Sequence, residues 1–232
     1  PGVGANHTVR VTIVGDSVNS TYSRTAPKNK LSYAPPAIDM VEAAGTDPID
    51  AMPTHGSFVV LRGSGFGGDK DSCRPHLESL AALGFTALAF DPYQHGQRLV
   101  ADAEELRQRI RSNIRRYFWP ILARTSKEVP GVIDWALQHL DIDKQEIGIG
   151  GISMGGDISV AAAGLDRRIV LAIPWVATPD WLRPGTSESV GEPDAEAQAC
   201  YDELNPLTHL ERYAHCPRIV FQNGADDRQV PP

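Results

Sequence analysis

Residues 147–158 read Ile147-Gly148-Ile149-Gly150-Gly151-Ile152-Ser153-Met154-Gly155-Gly156-Asp157-Ile158, and this stretch decides the fold. Its first part is an apolar run of strand length, and the part from Met154 onward, through 163, is rich in small residues with helical character. Between them stands Gly151-Ile152-Ser153-Met154-Gly155. A serine held on a tight strand-to-helix turn needs glycines two positions before and after it, because the backbone passes close by and leaves no room for a side chain. A G-x-S-x-G string alone is common; a strand before it and a helix after it make it a nucleophile elbow.

Outward from the elbow, further apolar runs occur at 8–14, 58–61, 87–90, 170–176 and 218–221, alternating with amphipathic stretches. Continuous apolar strands between helices predict an α/β domain with a mostly parallel sheet covered on both faces, with 8–14 as an antiparallel edge. Helices are predicted over 71–83 and 103–140, the latter broken by bends at Pro120 and Pro130. Residues 181–210 carry little strand signal and read as a small lid or insertion, while 16–56 show no clear period. The whole is read as one domain over 1–232, with 1–56 an N-terminal strand and irregular segment.

A serine needs a base to take its proton and donors to hold the oxyanion. The loop Arg62-Gly63-Ser64-Gly65-Phe66-Gly67-Gly68-Asp69-Lys70 follows an early strand and precedes a helix. A phosphate-cradling loop would need Gly-Lys-Ser or Gly-Lys-Thr there, so the backbone amides of Phe66 and Met154 are the expected oxyanion donors. After the last strand comes Asn223-Gly224-Ala225-Asp226-Asp227, at the same sheet edge as the elbow. Asp227 is assigned as the acid that orients the base, with the adjacent Asp226 as the alternative, since spacing cannot separate neighbours.

The loop at 63–70, Leu80-Ala81-Ala82-Leu83-Gly84-Phe85, Asp91-Pro92-Tyr93-Gln94-His95-Gly96-Gln97-Arg98, the elbow and 223–231 resemble successive landmarks of the α/β-hydrolase superfamily, and more closely its dienelactone-hydrolase-like bacterial carboxylesterases. Phe118-Trp119 followed by Ile121-Leu122 adds to the likeness, which runs from about residue 58 to the end. The resemblance implies a serine esterase with a triad in the order Ser, Asp, His. Two departures stand out: Ser64-Gly65 replaces the family's usual His-Gly, and Ser153 stands where a dienelactone hydrolase has cysteine.

The base histidine is the missing member. His55, His139 and His215 precede strands and so fall at the far edge of a parallel sheet, roughly 17 Å away for a five-residue strand. His7 precedes the first run and His209 sits in the 181–210 segment. His76 and His95 follow strands and could lie at the catalytic edge, but His76 falls on the first turns of a helix, where a surface or packing role is favoured, and His95 belongs to the Asp-x-x-x-His-Gly loop, with a structuring role favoured over one in the pocket. The expectation is therefore that the base, with a last strand and a closing helix, lies downstream of Pro232.

Net charge −7 and a pI near 5.5 argue against a nucleic-acid partner, and no apolar run approaches the ~20 residues of a membrane span. The run Arg107, Arg109, Arg111, Arg115, Arg116 and Arg124 interleaves with apolar residues at helical spacing and reads as a solvated helix face. Cys73, Cys200 and Cys216 lack metal-like spacing, and no metal or organic cofactor is expected. The sequence thus predicts a serine hydrolase acting on a small-molecule ester, with Trp119, Trp175 and Trp181 as candidate pocket walls. A serine peptidase or acyl transferase on the same fold, and a non-catalytic binding protein, are the alternatives.

Overall fold

The computed structural model describes residues 8–14, 37–42, 57–60, 68–81, 85–99, 102–140, 142, 147–216 and 218–231. Within them the strands are β1 (Thr8–Val14), β2 (Ala37–Glu42), β3 (Ser57–Val60), β4 (Thr86–Phe90), β5 (Ile147–Ile152), β6 (Ile169–Trp175) and β7 (Arg218–Ile219), and the helices are α1 (Arg74–Ala81), α2 (Ala103–Ser112), α3 (Ile114–His139), α4 (Met154–Leu165) and α5 (Ala195–Leu204). The strands form one sheet in the order β2-β1-β4-β3-β5-β6-β7. Only the β1–β4 pairing is antiparallel. The carboxyl ends of β3 to β7 therefore share one edge.

Alternation along β4 divides the interior. Leu88 and Phe90 join a large cluster with α2, α3, α4 and α5, whereas Ala87 and Ala89 pack with Leu77 of α1 and Cys73. Successive strand residues point to opposite faces, so α1 covers one side of the sheet and α2 to α5 the other.

Three details depart from the sequence reading. β1 is antiparallel but internal, because β2 pairs outside it in parallel register; β2 lies in the stretch that showed no period. α3 runs unbroken through Pro120 and Pro130. An interior proline costs ~3 kcal/mol, but α3 buries Phe118, Trp119, Ile121, Leu122, Val129, Val132 and Ile133, each worth ~1.5–3 kcal/mol. Burial therefore outweighs the two prolines. The chain breaks instead at Asn113, which is extended, accepts a hydrogen bond from the Arg116 amide at 3.0 Å and donates one to Ile110 O at 3.1 Å.

The basic face is the third departure. It does not simply face solvent, because 190–203 lie along it: Arg115 meets Glu192, Arg116 meets Asp194, Arg124 meets Glu196 and Lys127 meets Glu203. Such exposed pairs contribute little individually, ~0–1 kcal/mol. The apolar contacts beneath them hold the segment: Trp119 stacks on Tyr201 at 4.6 Å, and Ala197 and Leu204 are buried. The stretch read as a lid is thus packed against α3 through most of its length.

Candidate active site

β5 is buried from Ile147 to Gly151 and delivers Ser153 directly to the carboxyl edge. Ser153 has φ 55° and ψ −118°, a region that a residue with a Cβ occupies only under constraint. Two bonds supply that constraint. Its amide donates to Trp175 O at the end of β6 (2.8 Å), and its carbonyl accepts from Asp157 N in α4 (3.0 Å). The hydroxyl takes no part in capping the helix. Gly156, directly after the last glycine of the motif, shows why small residues follow the serine: a Cβ there would lie 2.5 Å from Ala177 Cβ and 3.1 Å from the carbonyl oxygens of Gly151 and Trp175. α4 could not approach β5 and β6 this closely with any larger residue.

Strain concentrates at this edge. The described non-glycine residues with positive φ are Gln94, Ser153, Val176 and Arg183, which follow β4, β5 and β6. Residues held this way cost ~1–3 kcal/mol each and gather at functional sites.

The loop after β7 lies beside the elbow. Trp175 bridges in parallel to Gln222, Val176 N donates to Gln222 O at 2.9 Å, and Asn223 Nδ2 donates to Ala177 O at 2.8 Å. The two carboxylates differ in their surroundings. Asp227 Oδ1 accepts from the amides of Gln229 (2.8 Å) and Val230 (2.9 Å), which fixes the group and leaves Oδ2 outside those bonds. Asp226 is exposed.

Met154 is fully buried as the first residue of α4, so its amide is at the helix start beside Ser153. Phe66, the other expected oxyanion donor, lies outside the described residues, as do His7 and His55. Lys70 donates to the buried Asp91 carboxylate through its amide (2.9 Å) and its ammonium (3.1 Å), and Gln97 N binds the same carboxylate at 3.1 Å. Gly96, at φ +57°, is required there, since a Cβ would fall 2.2 Å from Asp91 Oδ1.

His95 is buried, with Nδ1 2.9 Å from Tyr93 O. A carbonyl only accepts, so Nδ1 carries the proton. Nε2 is buried without a hydrogen-bond partner among the described residues, and burial holds the ring below its ordinary pKa of 6.5. The neutral form therefore belongs to the folded state. The unfolded chain takes up a proton from about pH 6.5 downward before the folded chain does, so stability is full above that value and falls as the pH drops below it. Urea unfolding at pH 7.5 and 5.5 is expected to show a smaller loss of stability for His95→Gln than for the parent.

The other described histidines are placed elsewhere. His139 Nδ1 meets Trp135 O at 2.8 Å, His209 Nε2 meets Asp202 O at 2.8 Å and His215 Nε2 meets Asp166 O at 3.1 Å. His76 lies edge-on to the Trp175 ring at 6.4 Å. Of the three tryptophans expected at the pocket, Trp119 and Trp181 belong to the interior, joined by a bond from Trp119 Nε1 to Trp181 O at 3.0 Å, and Trp175 reaches solvent. Among the described residues, no cluster of three His, Cys, Asp or Glu could hold a metal ion, and no helix is long and apolar enough to cross a membrane.

Comparison with solved structures decides the fold. TT1662 from Thermus thermophilus superposes with a TM-score of 0.57 at 20% identity, over 76% of this chain and 68% of that one. The chain has the α/β-hydrolase fold. A Mycobacterium tuberculosis puromycin-hydrolysing peptidase gives 0.53 at 19% identity over 80% of this chain and 27% of its own. A Pyrococcus horikoshii acylaminoacyl peptidase gives 0.52 at 15%, over 78% and 29%. The chain thus spans less than a third of either peptidase. The prolyl oligopeptidase family pattern matches residues 123–232, which contain Ser153 and Asp227. No curated protein matches. On this α/β-hydrolase fold, the family match supports a serine hydrolase.

Proposed function

We propose that the protein hydrolyses carboxylic esters of small molecules through an acyl-enzyme on Ser153. The observation that carries this reading is the strained Ser153 at an edge shared with the fixed carboxylate of Asp227. Ser153 Oγ attacks the ester carbonyl and forms the Oγ–C bond while the base takes its proton. The backbone amides of Met154 and Phe66 hold the oxyanion; the alcohol leaves with that proton, and water then cleaves the acyl-serine by the same route. Asp227 Oδ2 orients the base and steadies its positive charge. We place the base outside the described residues: His95, His139, His209 and His215 bond to backbone carbonyls, and His76 sits in α1 edge-on to the Trp175 ring.

A second reading is cleavage of a peptide bond, favoured by the prolyl oligopeptidase match. Fold and triad do not fix the leaving group. An N-acyl-alanine p-nitrophenyl ester and its matched p-nitroanilide, given to the full-length gene product, separate the two. The ester is expected to turn over with an initial burst and the anilide not at all. Anilide turnover at a comparable rate would make the protein a peptidase, and turnover of neither would leave a binding protein.

A further inference from the structure

Asp157 is a lone acidic residue in a helix otherwise built, over 154–163, of Met, Gly, Ile, Ser, Val and Ala. It is fully buried, four residues after Ser153, whose carbonyl accepts from its amide. Its Oδ1 accepts from Thr178 N at 2.9 Å, and its Oδ2 accepts from Arg183 Nη2 at 2.5 Å. Arg183 is itself buried, with φ 50°. Its other terminal nitrogen donates to Glu188 Oε2 at 3.2 Å, and the guanidinium lies 5.2 Å over the Phe118 ring. Burial works against its charge, but the Asp157 and Glu188 carboxylates prevail and hold it protonated.

The acyl-transfer chemistry uses none of these groups, and a buried ion pair is weak evidence of stability, since apolar residues of like volume often do as well. What the pair joins is more informative. The segment that carries Arg183 also grips the loop after β7: Ser187 N and Oγ both donate to Arg228 O (2.8 and 3.1 Å), and Thr186 Oγ1 donates to Gln229 O at 2.9 Å. Gln229 N is in turn one of the two amides bound to Asp227 Oδ1. A continuous polar chain therefore runs from Ser153 through Asp157, Arg183 and 186–187 to Asp227.

We infer that Asp157 and Arg183 are positioning residues, which lock the loop bearing the catalytic acid to the helix bearing the nucleophile. The inference rests on the proposed function for its catalytic consequence, but the mechanical coupling can be read without it. Arg183→Met alone strands a buried carboxylate and risks misfolding. The decisive variant is Arg183→Met/Asp157→Asn, which removes both charges while the side-chain oxygen of the new amide can still accept from Thr178 N.

In the folded full-length double variant, hydrogen exchange of the Ser187, Gln229 and Val230 amides is expected to quicken by about tenfold or more while β5 and β6 amides keep their protection. With an ester substrate, kcat should fall by up to ~100-fold with KM within about twofold, as loss of alignment requires, and Arg183→Lys should recover part of it. Unchanged exchange at 187, 229 and 230, a uniform loss across the sheet, or a double variant that does not fold would overturn the inference. Quickened exchange in a protein that proves to have no turnover would leave the coupling standing and remove the proposed function instead.

Discussion

Ser153→Ala is expected to remove turnover while leaving the fold intact, with kcat lower by ~10⁶-fold, the scale on which loss of a triad nucleophile acts. The expectation follows from how the serine is held. Its positive φ is fixed by backbone bonds to Trp175 and Asp157, which alanine makes equally well, and its hydroxyl caps nothing. Loss of the hydroxyl therefore removes chemistry without removing structure. Ester turnover and thermal unfolding of the variant beside the parent check this. Retention of full activity would mean that another residue is the nucleophile.

Asp227→Asn should cost ~10⁴-fold in kcat. The new side chain can still accept from the Gln229 and Val230 amides through its oxygen, so the loop keeps its shape. The second position then presents an NH₂ donor where the base needs an acceptor, which selects the wrong histidine tautomer. Asp226→Asn, at an exposed carboxylate without a place in this arrangement, is expected to change kcat by less than about twofold. Steady-state kinetics of the two variants side by side provide the check, and an inverted result would exchange the assignments.

The elbow was legible because its demands are local. A strand run, a serine and small residues at fixed offsets are all contained in a dozen residues, and the 2.5 Å separation between Ala177 and a Cβ placed on Gly156 is the crowding that this run of glycines relieves. Asp226 and Asp227 could not be told apart in the sequence, because the contacts of Asp227 with the Gln229 and Val230 amides arise only once the loop is folded. β2 was missed since Ala-Ile-Asp-Met-Val-Glu has no clean alternation, and its place comes from pairing with β1.

The prolines of α3 misled for the opposite reason. Their local cost is real, but the large apolar side chains that the helix buries decide the outcome. Asn113, which breaks the helical zone, carried a usable signal as a good N-cap residue. Asp157 carried one too. An acidic residue amid small and apolar ones at helical positions needs a buried cation, although nothing in the sequence says that Arg183, 26 positions on, supplies it.

Covalent labelling shows whether Ser153 is an activated nucleophile. The full-length gene product is treated with a fluorophosphonate at neutral pH, digested and mapped by mass spectrometry. One adduct is expected, on the peptide that contains Ser153, absent from Ser153→Ala and slowed in Asp227→Asn. A folded protein left unlabelled at Ser153, or labelled on another residue, would contradict Ser153 as the nucleophile.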